Sequence, residues 1–100
     1  MFRDFFLGFM RIQILHHARK GPVYGTALMK ELKEHGYQIS PGTLYPTLHE
    51  MEKAGFLRRT EHVVSGKVRK YYHLTETGTG ALAEATARVR TLVGDMLAEK

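Results

Sequence analysis

The hydrophobic spacing of this chain changes at Gly55, and this change limits the folds that the sequence allows. Before Gly55, apolar residues recur at helical spacing in segments that glycine and proline separate. Between residues 56 and 74, β-branched and aromatic residues flank the dipeptide Ser65-Gly66, which is typical of a β-hairpin. Helical spacing returns after Thr75. The sequence therefore predicts helices on both sides of one hairpin.

The first helix is predicted for residues 2–19, and apolar side chains cover most of its circumference. A helix that is apolar nearly all round is buried on more than one side. In a chain of 100 residues, we expect the second burying surface to come from another copy of the chain. The aromatic residues assigned to that interface are Phe2, Phe5, Phe6 and Phe9.

Turn and capping residues delimit two further helices. The second helix is predicted for residues 25–35, after the break at Gly21-Pro22. The third helix begins where Ser40 occupies the N-cap and Pro41 the first helical position. It is predicted to end near Ala54.

The hairpin has a defined register if Ser65-Gly66 forms a two-residue turn, because turn length fixes strand pairing. Val63 then lies opposite Val68, and Glu61 lies opposite Lys70. On this face we expect apolar pairs at the tip and base, with a Glu61–Lys70 ion pair between them. The other face carries Arg58, His62, Lys67, Arg69 and Tyr71.

Thr75 is predicted to cap a fourth helix over residues 76–100. Its apolar residues follow the alternating three- and four-residue spacing of a coiled-coil seam. Because the helix has little else to pack on, the seam predicts self-association. The seam consists of Leu82, Ala85, Val89, Leu92 and Met96.

Three helices followed by a two-stranded wing define a winged helix-turn-helix, a mainly α fold with a small β-hairpin. We expect residues 1–75 to form this unit and residues 76–100 to form a dimerisation helix packed with the first helix. In this arrangement the third helix enters the major groove of DNA and the hairpin lies along the backbone.

The positive charge of the chain is concentrated in one segment. Fifteen Lys and Arg against ten Asp and Glu give a net charge of +5. Residues 53–73 contain six of these cations and one acid, so this segment accounts for the whole excess. A solvated basic face is the ordinary interpretation of such a run. Because the run coincides with the predicted wing, we favour a phosphate-binding surface.

The outward face of the third helix is predicted to contact bases or phosphates. It lacks Arg, Asn and Gln, the strongest bidentate base readers, so we expect shape and phosphate contacts to contribute more than base readout. For Tyr45, packing against the second helix is an equal alternative. The predicted DNA-contacting residues are Ser40, Gly42, Thr43, Tyr45, Pro46, His49, Lys53, Arg58, Lys67, Arg69 and Lys70.

Other chemistry finds little support in the sequence. The chain has no cysteine, which excludes disulfides and thiolate chemistry. The glycines of Gly78-Thr79-Gly80 match a dinucleotide-binding loop, but no parallel strand is predicted to accompany them. The six histidines show no pair at three- or four-residue spacing and no accompanying carboxylate pattern. We therefore expect no cofactor, no metal and no enzymatic activity.

No apolar stretch approaches the roughly 20 residues that a membrane-spanning helix requires. The Phe-rich N-terminal helix does not have the basic polar face of a membrane-surface helix, because the basic residues are concentrated in another part of the chain. We expect a cytoplasmic protein without membrane contact.

The segment Ser40-Pro41-Gly42-Thr43-Leu44-Tyr45-Pro46, followed by Gly55-Phe56-Leu57, resembles the recognition-helix signature of PadR-family transcriptional regulators. Pro22-Val23-Tyr24-Gly25 and the run from Gly66 to Gly78 are similar to the turn and the wing of that family. The resemblance covers residues 7–83. It implies a homodimeric repressor that binds a palindromic operator in double-stranded DNA. In some members a small hydrophobic or aromatic compound releases the DNA, so such an effector is an expectation here.

Two alternatives to a DNA-binding repressor remain open from the sequence. The same fold could serve as a protein-interaction module that binds an acidic partner. It could also serve as a ligand sensor in which an apolar pocket dominates. The salt dependence of binding to duplex DNA separates the first alternative from a DNA-binding role.

Overall fold

The computed structural model describes residues 2–99. Met1 and Lys100, which the sequence analysis included in segments 1–75 and 76–100, lie outside the described residues. Its elements are α1 (Phe2–Lys20), β1 (Val23–Tyr24), α2 (Gly25–Glu34), α3 (Pro41–Lys53), β2 (Leu57–Val64), β3 (Lys67–Leu74) and α4 (Glu76–Ala98). The predicted fold class, mainly helical with a winged helix-turn-helix order, is confirmed. No helix in residues 2–99 is long and apolar enough to span a membrane.

The sheet has three antiparallel strands rather than the predicted two, in the order β1-β3-β2. The additional strand β1 pairs Val23 with Tyr72 and Tyr24 with Tyr71. A strand of two residues carries no periodic signal, so it forms through pairing with β3 and could not be recognised from its own sequence. It ties the start of α2 to the wing.

The predicted hairpin register is confirmed. Val63 lies opposite Val68, and Glu61 lies opposite Lys70. Ser65 and Gly66 have φ angles of 53° and 78°. Two successive residues with positive φ match the twist of a two-residue hairpin turn, and they fix the register.

The core lies between α1, α2, α3 and the base of the hairpin. Seven side chains are at most 2 % exposed. Six come from α1, α2 and α3, and the seventh, Leu57, begins β2: Met10, Ile14, Leu28, Leu32, Leu44, Leu48 and Leu57. Tyr72 of β3 is 5 % exposed and continues this core into the sheet.

The start of α3 differs from the prediction in one detail. Ser40 occupies the N-cap, but its hydroxyl makes no capping hydrogen bond. The backbone N–H groups of Thr43 and Leu44 instead donate to the Ser40 carbonyl oxygen at 3.0 Å. The hydroxyl of Ser40 is thus not occupied in capping the helix.

A hydrogen-bonded junction joins the hairpin base to α4. The Thr75 hydroxyl donates to the Gly55 carbonyl at 2.6 Å and accepts from the Gly78 N–H at 2.9 Å. Gly78 is buried, and a Cβ at this position would meet the Phe56 carbonyl oxygen and lie 2.7 Å from Leu74 Cδ1. The absence of a side chain at Gly78 therefore allows α4 to leave the hairpin in close contact.

Replacement of Gly78 by Ala should lower the free energy of unfolding by about 1 to 3 kcal/mol, the usual cost of forcing extra volume into a packed site. Gly80 is the matched control, because a Cβ there has nothing within 4 Å. Gly80→Ala should raise stability by up to about 1 kcal/mol through helix propensity. Urea unfolding of both variants measures the difference, and equal midpoints would contradict the close contact at Gly78.

Candidate nucleic-acid interface

An open cleft of about 790 Å³ lies between the start of α2, the outward face of α3 and the wing. Its lining is Tyr24, Gly25, Thr26, Tyr45, His49, Arg59, Val64, Ser65, Lys67, Val68, Arg69, Lys70 and Tyr72. The cleft thus brings Tyr45 and His49 of α3 together with Lys67, Arg69 and Lys70 of β3, all five from the predicted set.

The remaining predicted DNA-contacting residues lie outside the cleft. Ser40, Gly42, Thr43 and Pro46 belong to the first turns of α3, where all but the half-buried Thr43 are exposed. Lys53 is exposed at the end of α3. Arg58 lies near the base of β2, opposite His73, and is not brought to the cleft.

Tyr45 combines the two alternatives that the sequence left open. Its side chain is 44 % exposed. The ring also packs over Gly25, because a Cβ at Gly25 would lie only 2.6 Å from Tyr45 Cε1 and Cζ. Contact with the first residue of α2 therefore holds the ring in place and leaves part of it open to the cleft.

Aromatic stacking holds Arg69 in a defined position. Its guanidinium carbon lies 4.2 Å from the centroid of the Tyr24 ring. The Tyr24 ring in turn contacts the Tyr71 ring edge-on, with 5.4 Å between the ring centroids. The Tyr71 ring contacts the His62 ring in the same way, with 5.3 Å between the centroids. The cation–π contact therefore depends on β1, the additional strand that carries Tyr24 and that the sequence did not predict.

Arg59 forms the ion pair with Glu61 that we expected from Lys70, and a second ion pair with Glu52. Its Nη1 lies 3.5 Å from Glu61 Oε2, and its Nε lies 3.6 Å from Glu52 Oε2 on α3. The expected Glu61–Lys70 ion pair is absent among residues 2–99, although the two residues are paired in the ladder. Arg59 and Glu61 share a face two residues apart, and the planar guanidinium contacts two carboxylates at once.

A second arginine neutralises the other carboxylate of α3. Arg11 of α1 lies 3.5 Å from Glu50. In the described part of the chain, Lys53, Arg58, Lys67, Arg69 and Lys70 form no ion pair. The acids beside α3 are therefore compensated, whereas the cations of the wing and of the end of α3 retain their charge for an anionic ligand.

The lysines and arginines, rather than His73, supply the fixed charge of the wing. Burial lowers the pKa of His73, and the charges of Arg58 and His62 lower it further. The Thr60 hydroxyl lies 2.8 Å from His73 Nε2. The ring thus stays neutral to a lower pH than an unperturbed histidine.

The predicted dimer-forming residues divide into exposed and internal positions. Phe2, Phe5 and Phe9 are at least half exposed, whereas the Phe6 ring lies 5.2 Å from that of Tyr37. On α4, Leu82 is 7 % exposed and packs in the core of its own chain. Further along α4, Ala85 and Val89 are half-buried, and Leu92 and Met96 are exposed. Two further exposed apolar residues, Val93 and Leu97, were not predicted.

Comparison with known proteins places these features in a family. Residues 14–84 match the sequence profile of the Transcriptional regulator PadR-like family. The chain is 43 % identical over 95 residues to the Transcriptional regulator Rv3488 of Mycobacterium tuberculosis, covering 95 % of this chain and 89 % of that protein.

Solved structures agree with this relationship. A padR family transcriptional regulator from Eggerthella lenta superposes with a TM-score of 0.83 at 34 % identity, over 100 % of this chain and 91 % of that one. A PadR-like transcription factor from Bacteroides fragilis gives a TM-score of 0.84 at 28 % identity, over 94 % and 92 % of the two chains.

The packing of Tyr45 on Gly25 yields a testable prediction. Gly25→Ala should lower the free energy of unfolding by about 1 to 3 kcal/mol, because the new methyl group collides with the ring. Tyr45→Ala removes the ring and should abolish this cost. Thermal or urea unfolding of both single variants and the double variant measures the coupling. Strictly additive effects would contradict the contact.

Proposed function

The chain belongs to the PadR-like family of transcriptional regulators, and from this premise we propose that it binds palindromic operators in double-stranded DNA as a homodimeric repressor. The family is one of regulators rather than of enzymes. The observation that carries the proposal is the cleft in which the exposed face of α3 meets the unpaired cations of β3.

Phosphate binding follows from the charges at this cleft. Lys67, Arg69 and Lys70 line one wall. Lys53 and Arg58 extend the positive surface toward the end of α3 and the base of the wing. Lysine and arginine bind DNA chiefly by displacing condensed counterions from phosphates, and this term does not depend on sequence.

Base recognition falls to the outward side of α3. The exposed Gly42 lets the helix backbone approach a base edge closely, and Thr43, Tyr45 and His49 supply hydrogen-bonding groups. The hydroxyl of Ser40 is free of the helix cap and accessible to a phosphate. Because Arg, Asn and Gln, the strongest bidentate base readers, are missing from this face, sequence selectivity is modest and depends partly on DNA shape.

The apolar surfaces of α1 and α4 support the homodimer. Phe2 is 83 % exposed, and every residue from 91 to 99 at the end of α4 is exposed. The chain is elongated, with extents of 57 × 28 × 21 Å. A projecting helical end that carries Leu92, Val93 and Met96 gains most of its stability from packing, so we assign a second copy to this face.

Symmetry of the dimer sets the form of the operator. Two identical recognition helices related by a twofold axis read a palindrome. Their half-sites lie about 10 base pairs apart, or a multiple of that distance, centre to centre. Occupation of such a site blocks other proteins from the same DNA, which is how a repressor acts. The cytoplasmic location and the small hydrophobic or aromatic effector stay predictions.

The phosphate contacts predict a specific salt dependence. Binding to duplex DNA should weaken linearly on a logarithmic plot against salt concentration. Lys67→Ala and Arg69→Ala should each weaken binding to all sequences and reduce the salt slope by about 1. Titration of duplex DNA at several salt concentrations measures both quantities.

Arg88→Ala is the matched control for this experiment. Arg88 lies on α4 and is paired with Glu84 at 3.3 Å, away from the cleft. Its removal should leave the slope unchanged. Unchanged slopes for Lys67→Ala and Arg69→Ala would remove both residues from the interface. Loss of all duplex affinity in the parent chain would favour the acidic-partner alternative.

The dimer interface is tested by a charge on the exposed seam. Leu92→Glu should shift the protein toward the monomer, because it places like charges against each other on a desolvated surface. Ala87→Glu adds the same charge on the opposite side of α4, where it is exposed, and should leave the dimer intact. Sedimentation of both variants measures the shift. A dimeric Leu92→Glu chain would contradict the assigned seam.

A further inference from the structure

A group of metal-ligating side chains lies on the side of the molecule formed by α1 and α2. It consists of His17 in the last turn of α1, Glu31 near the end of α2 and His35 at the C-cap of α2. One ligand atom from each residue lies within 4.8 Å of the others. It is the only such group of three among residues 2–99.

The fold assembles this group from two sequence signals. Glu31 and His35 are four residues apart and therefore lie on one side of α2. Packing of α1 on α2 adds His17, whose ring centroid is 5.2 Å from that of His35. The expectation that no carboxylate pattern accompanies the histidines is wrong for Glu31 and His35, which have the four-residue spacing.

The hydrogen bonds of the cluster leave a lone pair available on His35. Its Nδ1 lies 2.8 Å from the Glu31 carbonyl oxygen, which can only accept, so Nδ1 carries a proton, and in the neutral ring the lone pair is on Nε2. A hydrogen bond from the second ring nitrogen to a backbone carbonyl is the usual support for a metal-ligating histidine. Among residues 2–99, the one hydrogen bond of the His17 ring is a long one, with 3.4 Å between its Nε2 and Gln13 Nε2.

The helix ends around the group favour an incoming cation. The group lies at the C-terminal ends of α1 and α2, whose carbonyl dipoles stabilise positive charge. His17, Glu31 and the cation Lys20 line an adjoining open cleft of about 310 Å³.

We propose that His17, Glu31 and His35 bind a divalent transition-metal cation of the zinc class. Two imidazoles and a carboxylate are ligands that this class prefers over magnesium or calcium. Zinc bonds of about 2.0 to 2.1 Å place tetrahedral ligands about 3.4 Å apart. The side chains of Glu31 and His35 are exposed and close the remaining distance by rotation. The adjoining cleft admits water as a fourth ligand.

The cation links the end of α1 to the end of α2. α1 carries the exposed phenylalanines, and α2 is followed by the segment that leads into α3. A bound metal therefore stabilises the packing of α1 against α2. We assign α1 to the dimer, and α2 with α3 to DNA binding. The site lies outside the cleft that we assign to DNA binding, because none of its three residues lines that cleft.

Titration of the full chain with Zn²⁺, after treatment with a chelator, tests the proposal. The parent should bind one Zn²⁺ per chain and gain thermal stability, since a ligand that binds the folded state stabilises it. Mg²⁺ should do neither. His35→Gln and Glu31→Gln change exposed side chains and should retain the fold. Each should lower Zn²⁺ affinity at least about tenfold, because even loss of an outer-shell partner costs ten- to a hundredfold.

The matched control is His62→Gln, which removes a histidine of the wing away from the group. It should bind Zn²⁺ like the parent. Parental affinity in both ligand variants, an equal loss in His62→Gln, or no Zn²⁺ binding by the parent would each overturn the proposal. All measurements are made without DNA, so their outcome does not depend on the proposed function.

Discussion

The burial of the hairpin base determines where the charges of the wing lie. Leu57 and Tyr72 are almost fully buried against the helices, and they alternate along the strands with side chains that face away. A slip of one residue would reverse every side chain of the hairpin, so burial at the base also fixes which side Lys67 and Arg69 share near the tip. The Thr75 hydroxyl and Gly78 reinforce this base from the α4 side. The position of the cationic surface beside α3 thus depends on apolar packing at a distance from it.

Ion pairs then shape the electrostatic field around α3 without adding much stability. Arg59 and Arg11 are partly exposed, and exposed ion pairs are worth about 0 to 1 kcal/mol. Their more important effect is to cancel the charges of Glu50 and Glu52, which would otherwise repel phosphates from the recognition helix. One basic residue of the wing is used in this way. The remaining cations keep their charge.

The fold follows largely from local signals, whereas the site depends on packing. Helical spacing, the Ser40-Pro41 start and the Ser65-Gly66 turn are properties of short segments, so the helices and the register were predictable. The strand β1 was not, because two residues gain their conformation from a partner strand. The Arg59 ion pairs, the Arg69–Tyr24 stack and the approach of His17 to His35 all join residues that are distant in sequence or share a face only after folding. A sequence analysis finds the charge of the site, but only packing decides which charges are compensated.

The first helix explains why an apolar pattern can cover nearly a whole helix in so small a protein. Met10 and Ile14 are fully buried in the core, Arg11 reaches Glu50 of α3, and His17 contacts α2. The phenylalanines Phe2, Phe5 and Phe9 near the start of the helix are exposed, and we assign them to the proposed dimer interface. In the proposed dimer, α1 contacts both the recognition helix and the partner subunit, so the dimer we propose sets the distance between two recognition helices. That distance must equal a whole number of DNA turns for both to enter the major groove on one side of the duplex. The apolar circumference of α1 is therefore a requirement of the proposed dimer as much as of the core.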